Sequence, residues 1–351
     1  MERYSFYLTA ITHVIVVVIF CFFLSGCLQK LMNAFDSTAP GSPAQAKIDV
    51  DAMKHAWAER WDKDETGWRV AERITTPPFT RNVFGVIKSL MDLCDDKDLA
   101  TWIGSLIDAA GQQQTGAEDS QTGVVRQAMA GATVFVPLCG DTPALSYFAR
   151  TIGCDVVGVD IAEVAIRRAV SEQFADFSAH EETISAASGA KLTRIALQPP
   201  EGTPQGSATL YIGDAFALMN DPALLAGRVD FVYDRASIVA IDPSIRHVYV
   251  AAMRHVMTRP GATRCRLNAP SGGHSTQRSR VLMSLNLFHR PVGENQSKAG
   301  PPFHIPENAL FEEFGGANGA SIVSVLNSGD FVQGLGAIMD VSYAVLQPLP
   351  L

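Results

Sequence analysis

The residues best suited to chemistry stand just after short apolar runs. Gly140 follows the run at 133–136 and Asp160 closes the run at 155–159, so a glycine turn is followed about twenty residues later by an acid. The glycine lets backbone approach a ligand closely, and the carboxylate can accept hydrogen bonds from both hydroxyls of a ribose. That is the chemistry of holding a nucleoside. Gly213-Asp214-Ala215 follows a third run, 208–212, and is placed to read an adenine ring, while Arg235 follows a fourth, 229–233, as a fixed cation at the same mouth. Taken singly, a turn glycine and a solvated strand-end aspartate are the commoner explanations of such residues. The full G-x-G-x-x-G cradle of a dinucleotide pyrophosphate is missing, which speaks against a nicotinamide-dependent dehydrogenase.

Positioning these residues takes strands alternating with helices. The runs at 133–136, 155–159, 208–212, 229–233 and 281–288 read as strands, and 143–151, 162–174 and 247–257 as helices. Such alternation predicts a doubly wound, mostly parallel α/β sheet of Rossmann-like type, with helices on both faces and the ligand beyond the carboxyl ends of the strands. Segments 321–326 and 339–346 read as an antiparallel pair at the sheet edge and complete a seven-stranded sheet. The polar stretches 111–123 and 175–207 read as surface loops, and 264–280 as a polar insertion. Residues 51–64 read as a helix with Trp57 and Trp61 on one face, by default two core tryptophans.

Composition narrows the partners. Hydrophobic residues make up 47% and charged residues 18%, as expected of a chain that folds. The formal net charge is -8, and no Lys/Arg-rich run could lay a positive stripe along a phosphate backbone, so nucleic acid is not an expected partner. The six cysteines are scattered without a C-x-x-C pair or metal-ligand spacing, which predicts buried reduced thiols and no metal site.

Residues 6–28 contain no Asp, Glu, Lys or Arg and are long enough to cross a bilayer as a helix. They read as a membrane anchor within a segment 1–30. The competing readings are a cleaved signal, a lipoprotein signal ending on Cys27 after Leu24-Ser25-Gly26, and a start at Met32 that leaves a soluble protein. Residues 31–47, with their small residues and prolines, read as a flexible tether, and 48–351 as the folded domain.

Five stretches in order resemble the thiopurine S-methyltransferase family, whose relatives include thiol, halide and metalloid methyltransferases. They are Trp57-Ala58-Glu59-Arg60-Trp61 with Thr66-Gly67-Trp68, Val134-Phe135-Val136-Pro137-Leu138-Cys139-Gly140, Val156-Val157-Gly158-Val159-Asp160, Phe231-Val232-Tyr233-Asp234-Arg235-Ala236-Ser237, and Gly300-Pro301-Pro302-Phe303-His304. The resemblance implies a class I methyltransferase that uses S-adenosyl-L-methionine to methylate the sulfur of a thiopurine or another small thiol. It implies that Trp57, Trp61, Trp68, Leu138, Gly140, Asp160, Asp214, Ala215 and Arg235 bind the cofactor. Arg235 would also act at the reaction centre, and Pro301, Pro302 and Phe303 would form an apolar wall for the acceptor. An enzyme consuming this cofactor belongs on the cytoplasmic side of any membrane that anchors it. The oligomeric state is left open, a monomer included.

Two departures bear on specificity. Asp141 stands where the family usually has Lys, and Leu287-Phe288-His289-Arg290 stands where relatives tend to show an aromatic followed by an acid. Halide or metalloid methylation therefore remains an alternative, as does a membrane-tethered protein that binds the cofactor without turnover. Methyl transfer from a sulfonium needs alignment and water exclusion more than a strong base. Arg235 is accordingly the candidate for holding an anionic nucleophile, against a structural salt bridge with Asp234 or Asp242, while His289 and His304 read as surface histidines.

Overall fold

Thr133–Pro137 (β1) is a run of β-branched and aromatic residues with nearly every side chain buried, as suits a strand flanked on both sides by parallel neighbours. In the computed structural model the described residues are 55, 57, 59–61, 63, 117–225, 229–235, 237–258, 281–289, 305, 312, 314, 321–328 and 339–347. Residues 117–120, 257–258 and the last three strands are described by their backbone alone. All belong to the unit Asp51–Leu351. The expected anchor and tether, the insertion 264–280, Trp68, Pro301, Pro302, Phe303 and His304 lie outside the described residues. Among the described residues no helix is long and apolar enough to cross a membrane.

After β1 come the elements Ala144–Ser146 (α2), Asp155–Asp160 (β2), Glu163–Gln173 (α3), Ser178–Ser185 (β3), Lys191–Gln198 (β4), Ala208–Ile212 (β5) and Ala215–Met219 (α4). Phe231–Arg235 (β6), Ser237–Ala240 (α5), Arg246–Thr258 (α6), Val281–His289 (β7), Ser321–Ser328 (β8) and Met339–Gln347 (β9) follow, and Ala117–Met129 (α1) precedes β1. The sheet runs β3-β4-β5-β2-β1-β6-β7-β9-β8. Strands β5, β2, β1, β6 and β7 are parallel, and β9 and β8 form the expected antiparallel edge.

The core lies in two layers, because alternate residues of each strand face opposite sides. Val134, Val136, Phe231 and Tyr233 pack with Val125, Phe148 and Ile166 on one face, and Phe135 and Val232 pack with Leu218, Tyr249 and Met253 on the other. Gly158 sits in β2 where there is little room for a side chain. A Cβ there would fall 2.9 Å from Leu210 Cδ2, 3.0 Å from Cys139 Sγ and 3.1 Å from Leu145 Cδ2. Beyond α2 the chain runs on as a π-helical turn, Tyr147–Ile152, in place of a continuous α-helix over 143–151.

Three expectations are corrected. The stretch 175–207 is not a loop: it contains the hairpin β3/β4, which raises the sheet from seven strands to nine. The edge strand β3 buries little and carries charge, so it lacks the apolar pattern that marks a strand. Its partner is specified across the ladder instead, where Glu182 lies opposite Arg194 and accepts from its guanidinium at 2.7 Å. The stretch 111–123 is not wholly a loop either, since its residues from 117 onward open α1, whose Val124, Val125, Ala128 and Met129 reach the core. Finally, the fourth strand is 231–235 rather than 229–233. Asp230 precedes it, joined to Thr133 by both its N–H and its carboxylate, and Asp234 and Arg235 fall within the strand because they pair with Leu285 and Asn286 of β7.

Candidate functional site

The register aligns the ends of neighbouring strands. Pro137 pairs with Val159 and Asp160 with Ile212, so Leu138, Asp160 and Gly213 emerge side by side, with Arg235 closing β6 on the other flank of β1. The strand order reverses around β1, the place where an open α/β sheet forms its crevice.

The chain after β1 turns sharply. Leu138 has φ 44 and Gly140 φ 53, both left-handed. At Gly140 a side chain is excluded twice, by the backbone angle and because a Cβ would lie 3.1 Å from Trp61 Cζ2. Cys139 N–H donates to the Val159 carbonyl at 2.9 Å, and Gly140 N–H donates to Asp160 Oδ2 at 2.8 Å. Asp160 Oδ1 accepts from Ala162 N–H at 2.8 Å and so takes the place of a side-chain cap at the start of α3. Its backbone carbonyl receives the Gly213 N–H at 2.9 Å. Asp160 thus joins the ends of β1, β2 and β5.

Burial pushes the Asp160 carboxyl up to about 6, the hydrogen bonds from Ala162, Gly140 and Ile161 pull it back, and nearby Asp141 adds a smaller upward push. Each carboxylate oxygen accepts a backbone N–H, Oδ2 from Gly140 and Oδ1 from Ala162, and has further lone-pair capacity. A carboxylate with two oxygens fixed and still able to accept fits a pair of ribose hydroxyls.

Of the two tryptophans, the structure brings Trp61 to the turn. It is buried with Ala162 and Ala165 and lies against Gly140, with the Arg168 guanidinium 5.6 Å from its ring centroid. Arg168 also comes within 4.0 Å of Asp141 Oδ2, so the acid at the position where Lys was expected faces a cation on α3. Trp57 is half-buried beneath the guanidinium of Arg60, 5.3 Å from its ring centroid. Asp214 caps α4 by accepting from Phe216 N–H at 2.8 Å, and Ala215 beside it is buried, which leaves Asp214 half-buried at the β5 end.

Arg235 is half-buried at the end of β6. Successive strand residues point to opposite faces, and the Asp234 carboxylate is turned inward, accepting from Ser237 N–H at 2.9 Å and from Tyr249 OH at 2.6 Å. Asp242 caps its own turn by accepting from Ser244 N–H and Oγ. Asp234 and Asp242, the aspartates offered as structural partners of Arg235, thus each accept hydrogen bonds from other residues, which does not exhaust their capacity to accept. Burial pushes the Asp234 carboxyl up to about 6 and the Tyr249 hydroxyl well above its ordinary range. This buried cluster was not found by sequence reasoning; its signal is the Asp-x-x-Ser spacing of 234–237, which suits a cap at a helix start. Cys139 and Cys154 are buried free thiols, as expected.

Comparison with known proteins adds a similarity to one family. Residues 120–267 match the family model described as thiopurine S-methyltransferase, a span that holds Leu138, Gly140, Asp160, Asp214, Ala215 and Arg235 but not Trp57, Trp61, Trp68 or 301–303. The chain is 35% identical over 177 residues to thiopurine S-methyltransferase of Oryctolagus cuniculus, covering 50% of this chain and 57% of the relative. It is 31% identical over 182 residues to that of Bos taurus, covering 52% and 59%. The chain thus spans less than two thirds of the length of these relatives. Among solved structures, Haemonchus contortus phosphoethanolamine N-methyltransferase 2 in complex with S-adenosyl-L-methionine aligns with TM-score 0.38 at 10% identity, over 75% of this chain and 60% of that one.

Proposed function

We propose that the chain, whose residues 120–267 match the thiopurine S-methyltransferase family model, transfers a methyl group from S-adenosyl-L-methionine to a small soft nucleophile, foremost the sulfur of a thiopurine or other thiol. The observation that carries this reading is the Asp160 carboxylate, locked by Gly140 and Ala162 at the strand ends where the sheet order reverses. When bound, the cofactor supplies a methyl group activated on a sulfonium. Asp160 would hold its ribose, the residues after β5 its adenine, and the Leu138–Gly140 turn its methionyl end, with Trp61 closing over the turn.

Arg235 would attract and orient an ionised thiolate, which removes the need for a strong base. In-line alignment and exclusion of water then supply the rate. The apolar wall from Pro301, Pro302 and Phe303 belongs to the same reading, as does anchoring through residues 6–28 with the domain facing the cytoplasm; fractionation of expressing cells tests the latter.

The purified full chain should be given methyl-labelled S-adenosyl-L-methionine with heteroaromatic thiols, aliphatic thiols, iodide and selenite. Label transferred to heteroaromatic thiols above the rest supports the reading. Transfer confined to iodide or selenite makes the chain a halide or metalloid methyltransferase, and cofactor binding with no transfer to any acceptor makes it a binding protein.

A further inference from the structure

Leu138 adopts φ 44, where the Cβ of an L-residue crowds the neighbouring carbonyl, and its side chain has no polar group to offset the cost. A residue keeps such a conformation only when its surroundings over-determine it. Here the constraints come from both flanking strands. From β2, Val159 and Asp160 accept from Cys139 N–H and Gly140 N–H. From the β6 side, the Ser237 hydroxyl donates to the Pro137 carbonyl at 2.8 Å, a bond between residues 100 positions apart.

That hydroxyl is itself held. Ser237 is 2% exposed, and its N–H donates to Asp234, whose other oxygen accepts from Tyr249. Tyr249 packs edge-to-face on Phe216 of α4, with ring centroids 6.2 Å apart. The network therefore reaches the ends of β1 and β6 and the helix capped by Asp214.

We propose that Ser237, backed by Asp234 and Tyr249, is the positioning residue for the Leu138–Gly140 turn and through it sets affinity for the methionyl end of the cofactor. This rests on the cofactor reading above. The sheet order supplies the selectivity: with adenine beyond β5 and ribose at Asp160 beyond β2, the remaining methionyl part must extend over the turn after β1. The methionyl part meets the segment that Ser237 holds directly, whereas ribose meets it only through the Gly140–Asp160 hydrogen bond, with Ala162 N–H also fixing that carboxylate.

The test uses the full chain and Ser237→Ala, with Ser146→Ala, whose hydroxyl donates to the Pro143 carbonyl and not to the Leu138–Gly140 turn, as the control. Without ligand, amide hydrogen exchange at Cys139 and Gly140 should quicken in Ser237→Ala and not in the control. By calorimetry, S-adenosyl-L-methionine should bind Ser237→Ala about five-fold more weakly, the size of one neutral hydrogen bond. Binding of 5′-methylthioadenosine, which lacks the methionyl carboxylate and ammonium, should stay within about two-fold. Tyr249→Phe should show the same pattern.

Unchanged exchange at Cys139 and Gly140 overturns the proposal whatever the ligands do. Equal weakening of both ligands also overturns it, since that is the mark of general loosening. A wild-type chain that binds neither ligand overturns the cofactor reading itself, an outcome distinct from wild-type binding that Ser237→Ala leaves intact.

Discussion

Lowering the pH from 7 to 5 should weaken cofactor binding about tenfold. Burial places the Asp160 carboxyl at about 6, and its role toward ribose requires the ionised form, which alone accepts from two hydroxyls while also accepting from Gly140 and Ala162. With binding restricted to the ionised form, affinity scales as 1/(1 + 10^(6 − pH)), which is nearly full at pH 7 and roughly a tenth at pH 5, about 1.4 kcal/mol. The free amino-acid groups of the ligand have reference values near 3.5 and 8 and change little across this interval. The assay is calorimetric titration at half-unit steps, with circular dichroism confirming folded protein at each pH. Asp160→Asn isolates the group. Its amide turns a donor toward one of the two N–H groups that now donate to the carboxylate, so binding should be weak and independent of pH. Wild-type affinity constant within two-fold from pH 7 to 5, in folded protein, would refute the assignment.

Three further outcomes follow from the same geometry. The folded-state value of Asp160 is raised above its unfolded value of 3.8, so the native state binds more protons between the two; stability contributed by this group grows as pH falls through 6 and levels off below about 4. The wild-type minus Asp160→Asn difference in unfolding free energy should therefore shift toward the wild type by about 2 kcal/mol between pH 7 and 4, read by urea denaturation. Gly158→Ala should cost about 1–3 kcal/mol in the same measurement, because its Cβ would overlap Leu210, Cys139 and Leu145, and an unchanged midpoint would contradict the packing. Arg235→Ala should lower the methyl-transfer rate about a hundredfold with a much smaller change in cofactor affinity; equal losses would make it a binding residue only.

How much could be read without coordinates depended on where a residue's partners lie. Strands β1, β2 and β5 are buried on both faces and show as unbroken apolar runs, and the Gly140–Asp160 pair follows from the length of one strand-helix-strand unit. The β3/β4 hairpin escaped because its edge strand is specified by cross-strand charge, such as Glu182 opposite Arg194, and not by apolar alternation. Within the site, the bond from Ser237 to Pro137 was invisible for another reason. Its partner Pro137 lies on a different strand, and no local pattern links two residues that meet only when β1 and β6 pair. Asp141 was recognised as a departure, but its facing cation Arg168 comes from α3 and needed the fold to be seen.

The most direct test of the account is calorimetric binding of S-adenosyl-L-methionine to the full chain beside Asp160→Ala at pH 7. Saturable binding, one molecule per chain, weakened at least tenfold in a variant that keeps its fold, is the predicted result. Folded wild-type protein that does not bind, or binding that Asp160→Ala leaves unchanged, would contradict the assignment of this strand-end crevice as the cofactor site.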